Sequence, residues 1–232
     1  MKKFCVITTG RTGSTSLMKA LAKHVDIAVP SKQLPSDDEE LLHPRESQRY
    51  RAFYVRKVGR QIATELELID AFYDCNVEAN YAGFKTMPNR HAFLQQWQSR
   101  GDVQFISLRR ADVAATVASF LAARDFGLWR RDGGTHPNQL HFGQHNIQRV
   151  DNHARYIVNN EKHLDSLSRC IHLHYEELCS PSFSDPVLNE FFEREIALSD
   201  PKAPIDPASY VSNWSELKAH VERLVATLRL SA

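Results

Sequence analysis

The chain has 232 residues, 42% hydrophobic and 25% charged, with 29 basic against 28 acidic side chains. These values describe a globular chain and exclude collagen, disorder and a membrane span. A net charge of +1 supplies no general field for nucleic acid, so an anion site has to come from local placement, and a small molecule is the expected partner.

Phe4 to Thr8 (FCVIT) is an apolar, β-branched run that passes through TTGRTGST into Leu17, Met18, Ala20 and Leu21 at helical spacing, which reads as strand, turn, helix. The run is too short for a signal peptide, no later segment approaches a membrane helix, and a cytoplasmic location is expected. Val25 to Val29 is stopped by Pro30, and Pro30 to Pro44, with three prolines and an acidic cluster, reads as a surface loop with room for one helical turn. From Gln48 to Tyr73 apolar residues recur every three to five positions, so this stretch is predicted to be mainly helical, with Gly59 as its weak point.

Tyr81–Lys85 (YAGFK) and Val103–Leu108 (VQFISL) read as strands, each followed by a helical pattern, at 89–99 and 111–124. Arg130 to His141 is a Gly- and Pro-containing basic loop placed to act as a lid. A long amphipathic helix over 147–167, a strand over 171–175 and a mainly helical C-terminal part complete the chain. Cys5, Cys75, Cys170 and Cys179 form no C-x-x-C pair and read as reduced packing residues. Strands separated by helices predict an α/β fold, a three-layer sandwich with a mostly parallel sheet and the ligand at the strands' carboxyl ends.

The motifs fall at those ends. Gly10, Arg11, Thr12, Gly13, Ser14, Thr15 and Ser16 bring backbone N–H groups, hydroxyls and a guanidinium to a helix N-terminus, an anion cradle. The triphosphate version, G-x-x-x-x-G-K-[ST], would need Lys where Ser14 stands and Gly where Thr8 stands, which disfavours a nucleotide-triphosphate kinase. Arg11 instead offers a planar fork for phosphate or sulfate oxygens. A second basic pair, Arg109 and Arg110, ends the FISL strand, with Asp112 and Ser119 on the helix that follows.

Together these two motifs resemble sulfotransferases that use 3′-phosphoadenosine 5′-phosphosulfate (PAPS). The likeness is to the bacterial trehalose 2-sulfotransferase-like branch, through Arg109, Arg110, Asp112, Ser119, Gly127 and Trp129 in LRRADVAATVASFLAARDFGLW, AGFKT at 82–86, and LHYEELCSP at 173–181. The resemblance spans about residues 4–195 and implies one P-loop-like domain over 1–232. Residues 30–47 and 130–141 would be its active-site loops and 184–232 its helical C-terminal part. It further implies that the first loop binds the 5′-phosphosulfate, that Arg109 or Arg110 with Ser119 binds the 3′-phosphate, that Trp129 lines the acceptor cleft, and that the chain dimerises.

Two positions depart from the family. The trehalose branch has a Glu as general base where ungapped counting from Gly13 gives Lys32, and the aryl and steroid branch has a Lys-Thr-His whose His is Met87 here. The base is therefore unassigned. The acidic loop (Asp37, Asp38, Glu39, Glu40) ranks first, with His136 and His91 behind it. In sulfuryl transfer Arg11 and Lys85 would neutralise the equatorial oxygens, with no metal required. His141 and His145 read as surface residues, His172 and His174 as packed strand residues, and Tyr175 and Glu176 as fixing the end of the last strand. The expected activity is transfer of a sulfuryl group to a hydroxyl of a carbohydrate, glycolipid or small metabolite, leaving PAP (3′-phosphoadenosine 5′-phosphate). The alternative is a non-catalytic nucleotide-binding relative that serves as a protein-interaction module.

Overall fold

A computed structural model describes residues 1–34, 40–43, 46–87, 97–98, 101–126, 140–198 and 205–230. The strands are β1 (Lys2–Thr8), β2 (Ile27–Ala28), β3 (Tyr81–Thr86), β4 (Val103–Arg109) and β5 (Cys170–His174). The helices are α1 (Ser14–Ala22), α2 (Pro30–Gln33), α3 (Ser47–Val58), α4 (Glu65–Asp74), α5 (Val113–Asp125), α6 (Ile147–Asp165), α7 (Tyr175–Leu178), α8 (Pro186–Phe192) and α9 (Trp214–Leu230).

The five strands form one all-parallel sheet in the order β2-β3-β1-β4-β5, flanked by helices, as the strand-helix alternation predicts. Parallel strands buried on both faces need near-continuous apolar sequence, and β1 is buried from Phe4 to Thr8. Successive side chains point to opposite faces. Phe4 and Val6 therefore pack with Leu17, Met18 and Leu21 of α1 and Phe192 of α8. Cys5 and Ile7 pack with Tyr54 of α3 and Leu68 and Phe72 of α4. A third apolar cluster joins α5, α6 and α9 through Val117, Leu121, Val150, Ile157, Leu217 and Val221.

Gly83 shows why β3 carries glycine: a Cβ there would lie 2.4 Å from the Phe4 ring on the neighbouring strand. Only a bare Cα lets that ring cover the sheet at this point.

The segment 48–73 is mainly helical, as expected, and divides at its weak point, because Gly59 turns left-handed (φ 68°) at the end of α3 and Thr64 caps a new start, its hydroxyl accepting from the Glu67 N–H while the Glu67 carboxylate accepts from the Thr64 N–H. One boundary needs correction. The last strand ends at His174, and Tyr175 opens α7, because the Glu177 carboxylate reaches back 3.0 Å to the His174 N–H and starts a helical turn. In the acidic loop, Pro30 opens the single turn α2. The predicted helix over 89–99 lies almost wholly outside the described residues, as does the 130–141 loop up to Gln139. Among the described residues no helix is long and apolar enough to cross a membrane.

Candidate functional site

With β1 central and β3 and β4 on either side, three carboxyl ends converge: the Thr9–Gly13 loop, Lys85 to Met87, and Arg109 to Ala111. The loop after β1 is wound by three left-handed residues, Gly10 (φ 87°), Arg11 (φ 57°) and Gly13 (φ 79°). Inside it the Thr8 and Thr12 hydroxyls hydrogen-bond each other, and the Gly10 N–H donates to Thr8 Oγ1 at 3.2 Å. No side chain caps α1 at Gly13 and its first turn carries no acid; the Ser16 N–H turns back to the Gly13 carbonyl at 2.9 Å, and the Ser14 and Thr15 N–H groups stand at the positive end of the helix dipole.

Arg11 is the one non-glycine residue in this winding. The left-handed backbone costs a non-glycine residue ~1 kcal/mol or more, and it is held across the cleft by a hydrogen bond from Arg11 Nε to Ser119 Oγ of α5 at 3.0 Å. The first loop and the Ser of the second motif, 108 residues apart, thus meet directly.

The two strand-end arginines go separate ways. Arg109 donates from Nη1 to Asp165 Oδ1 at 2.6 Å, at the end of α6, and so has a carboxylate partner, although its Nε and Nη2 are buried without a hydrogen-bond partner. Arg110 is 9% exposed, and its Nε is buried with no hydrogen-bond partner. Its guanidinium lies 4.6 Å from the centre of the Tyr175 ring, and among the described residues it forms no ion pair. The other side of that contact is the loop itself, since a Cβ at Gly13 would lie 3.1 Å from Tyr175 Cδ2. Among the described residues Arg110 meets no carboxylate, and a buried cation with an unmet donor is well placed for an anion.

On β3, Lys85 is 5% exposed and stands opposite Val6 of β1. The chain returns beside it, with Glu40 in a parallel bridge to Lys85 and itself 4% exposed. Of the acidic-loop candidates, Asp37, Asp38 and Glu39 lie outside the described residues, as do His91, Trp129 and His136. Glu40 is the one that is described, and it is buried at the carboxyl end of the sheet. Lys32, at the ungapped base position, is spent on structure: its ammonium donates to the carbonyls of His24 and Ile27. Met87, where the other branch has His, stands against the loop, its Cε 3.6 Å from where a Gly10 Cβ would be.

Three residues that sequence reasoning missed stand beside this cleft. Next to Ser119, Phe120 stacks on His153 of α6 (centroids 3.7 Å apart, planes at 13°), and His153 stacks on Tyr156 (5.7 Å, 13°). His153 Nε2 is buried without a partner, and burial lowers its pKa to about 4. Burial, with Glu40 nearby, raises the Tyr156 hydroxyl to about 12. A lone His on a helix with a long apolar stripe carries no sequence signal that separates it from a surface residue.

Two further histidines are engaged locally: His141 with Ser212 at 3.0 Å, and His172 Nδ1 with Ser107 Oγ at 2.7 Å. Among the described residues no group of three or more His, Cys, Asp or Glu could hold a metal ion. No family model matches the chain, and no curated protein matches its sequence.

Proposed function

We propose that the chain is a PAPS-dependent sulfotransferase acting on a hydroxyl of a carbohydrate, glycolipid or small metabolite. The observation that carries this reading is the buried Arg110 guanidinium, without a carboxylate partner among the described residues and one aromatic ring away from the loop after β1. The donor has two separated anionic groups and calls for two cationic subsites on one cleft. The loop N–H groups with Arg11 suit the phosphosulfate, and Arg110 with Ser119 suits the 3′-phosphate.

Glu40 is the general base in this reading, a buried carboxylate beside Lys85. It takes the proton from the acceptor hydroxyl as that oxygen bonds to sulfur and the sulfur–oxygen bond to the 5′-phosphate breaks. The negative charge that collects on the leaving phosphate is met by the start of α1, by Arg11 and by Lys85. A low-dielectric cleft makes each of these interactions stronger than in water. All four cysteines are free, which suits a reducing compartment, and the cytoplasm is the proposed setting.

The test is release of PAP from PAPS across a panel of sugars, glycolipids and small alcohols, read by chromatography. Acceptor-dependent PAP formation is the expected result. Tight PAP binding with no transfer to any acceptor would favour the non-catalytic relative, and no binding would end the reading.

A further inference from the structure

Three features lie outside the assigned roles: the Phe120–His153–Tyr156 ladder, the Ser107–His172 pair beside Asp165, and the α7 segment beside Arg110. The third has the most specific contacts. Tyr175 touches both anion subsites at once, with Gly13 of the phosphate loop against one edge and the Arg110 guanidinium over its face at 4.6 Å. The next residue holds the same arginine from behind, because both Glu176 oxygens accept from the N–H of Ala111, at 3.2 and 3.3 Å. Glu177 turns back to the His174 N–H and begins α7 at Tyr175, which leaves Glu176 free to reach across to the β4–α5 turn.

We infer that Tyr175 and Glu176 are positioning residues that hold Arg110 for the second phosphate of the donor, and so set the preference for a 3′,5′-bisphosphate over a 5′-monophosphate. The inference rests on the proposed reading of Arg110 as an anion ligand. Among the described residues, the Tyr175 ring and the backbone that follows Arg110 are what fix the direction of its guanidinium. The aromatic face supplies attraction without occupying the outward N–H groups, and a carboxylate at the same place would neutralise the cation the ligand needs. Glu176 acts on the peptide N–H after the arginine rather than on the guanidinium, so it steadies the backbone without that cost.

The experiment measures PAP and 5′-AMP affinities by calorimetry for the wild type, Tyr175→Leu, Tyr175→Phe, Glu176→Ala and Glu176→Gln. Thermal melts accompany them, and only folded variants are compared. Tyr175→Leu should weaken PAP binding about tenfold, the value of a desolvated cation–π contact, while 5′-AMP binding changes less than about twofold. Tyr175→Phe, which keeps the ring, and Glu176→Gln, which keeps an acceptor oxygen for the Ala111 N–H, should both retain the preference, and Glu176→Ala should lose part of it. If Tyr175→Phe loses PAP binding as fully as Tyr175→Leu, the hydroxyl and not the ring does the binding and the inference is overturned. An unchanged preference in Tyr175→Leu overturns it as well. A wild type that does not prefer PAP over 5′-AMP overturns the reading of Arg110 itself, a separate failure visible before any variant is made.

Discussion

Replacing Arg110 by Met should make the empty protein more stable and the donor site worse, a combination that a structural arginine cannot give. In the ligand-free fold the guanidinium is 9% exposed with its Nε unmet, and an unsatisfied buried donor costs ~1–3 kcal/mol. The contact with the Tyr175 ring offsets ~1 kcal/mol of that. Methionine fills similar space with no donor, so the net gain is ~1 kcal/mol, which for a chain of this length raises Tm by about 2–4 °C. The same change removes charge-assisted hydrogen bonds to phosphate worth ~1.5–3 kcal/mol, so PAP binding should weaken by about 10- to 150-fold. Calorimetric melting and PAP titration of one preparation read both quantities. A lower Tm with unchanged PAP affinity would refute the reasoning, since Arg110 would then be holding the fold together. Arg109→Met is the control: its partner is Asp165, and PAP affinity should stay within about threefold.

Arg11→Ala and Ser119→Ala should each weaken PAP binding, and the double variant should lose less than the sum, because the two side chains share one hydrogen bond; strictly additive losses would mean the bond is incidental. Glu40→Gln should lower the transfer rate by about 10²- to 10⁴-fold with PAP affinity unchanged, as expected for loss of a general base, and a rate within threefold of the wild type would remove Glu40 from that role. His153 is held neutral with a pKa of about 4, so the unfolded chain takes up a proton that the folded one does not. Stability should therefore fall as pH drops from about 6.5 to about 4, by at most ~3 kcal/mol, and level off below that. Urea midpoints at pH 7.5 and 5 should fall further in the wild type than in His153→Phe, which keeps the stack on Phe120 and the contributions of His24 and His172, whose pKa values burial also lowers; equal falls would contradict the buried neutral imidazole.

Periodicity exposed the sheet because β1, β3 and β4 are continuous apolar runs punctuated by glycine or charge, a pattern that buried parallel strands impose. The short run Val25–Val29 holds β2, two residues that pair with β3, and Gly59 marks the weak point of 47–74, yet the apolar spacing of Val58, Ile62 and Leu66 across it is compatible with one helix or two. The loop after β1 was legible because strand, glycines and helix follow one another directly. Which of Arg109 and Arg110 faces it was not, because adjacent residues leave a strand end on opposite sides and the decision falls to partners far along the chain, Asp165 for one and Tyr175 for the other. Glu40 was one of four consecutive acids until its bridge to Lys85 set it apart. His153 and Tyr156 gave no local signal, since what brings them to the cleft is the packing of α6 against α5.

If the loop after β1 and the arginine after β4 form one site for a nucleotide with two separate anionic groups, calorimetric titration will show tight, one-to-one binding of PAP and little of ATP, which lacks the 3′-phosphate and would need the lysine that Ser14 replaces. Equal or stronger binding of ATP, or no binding of either, would contradict that single site.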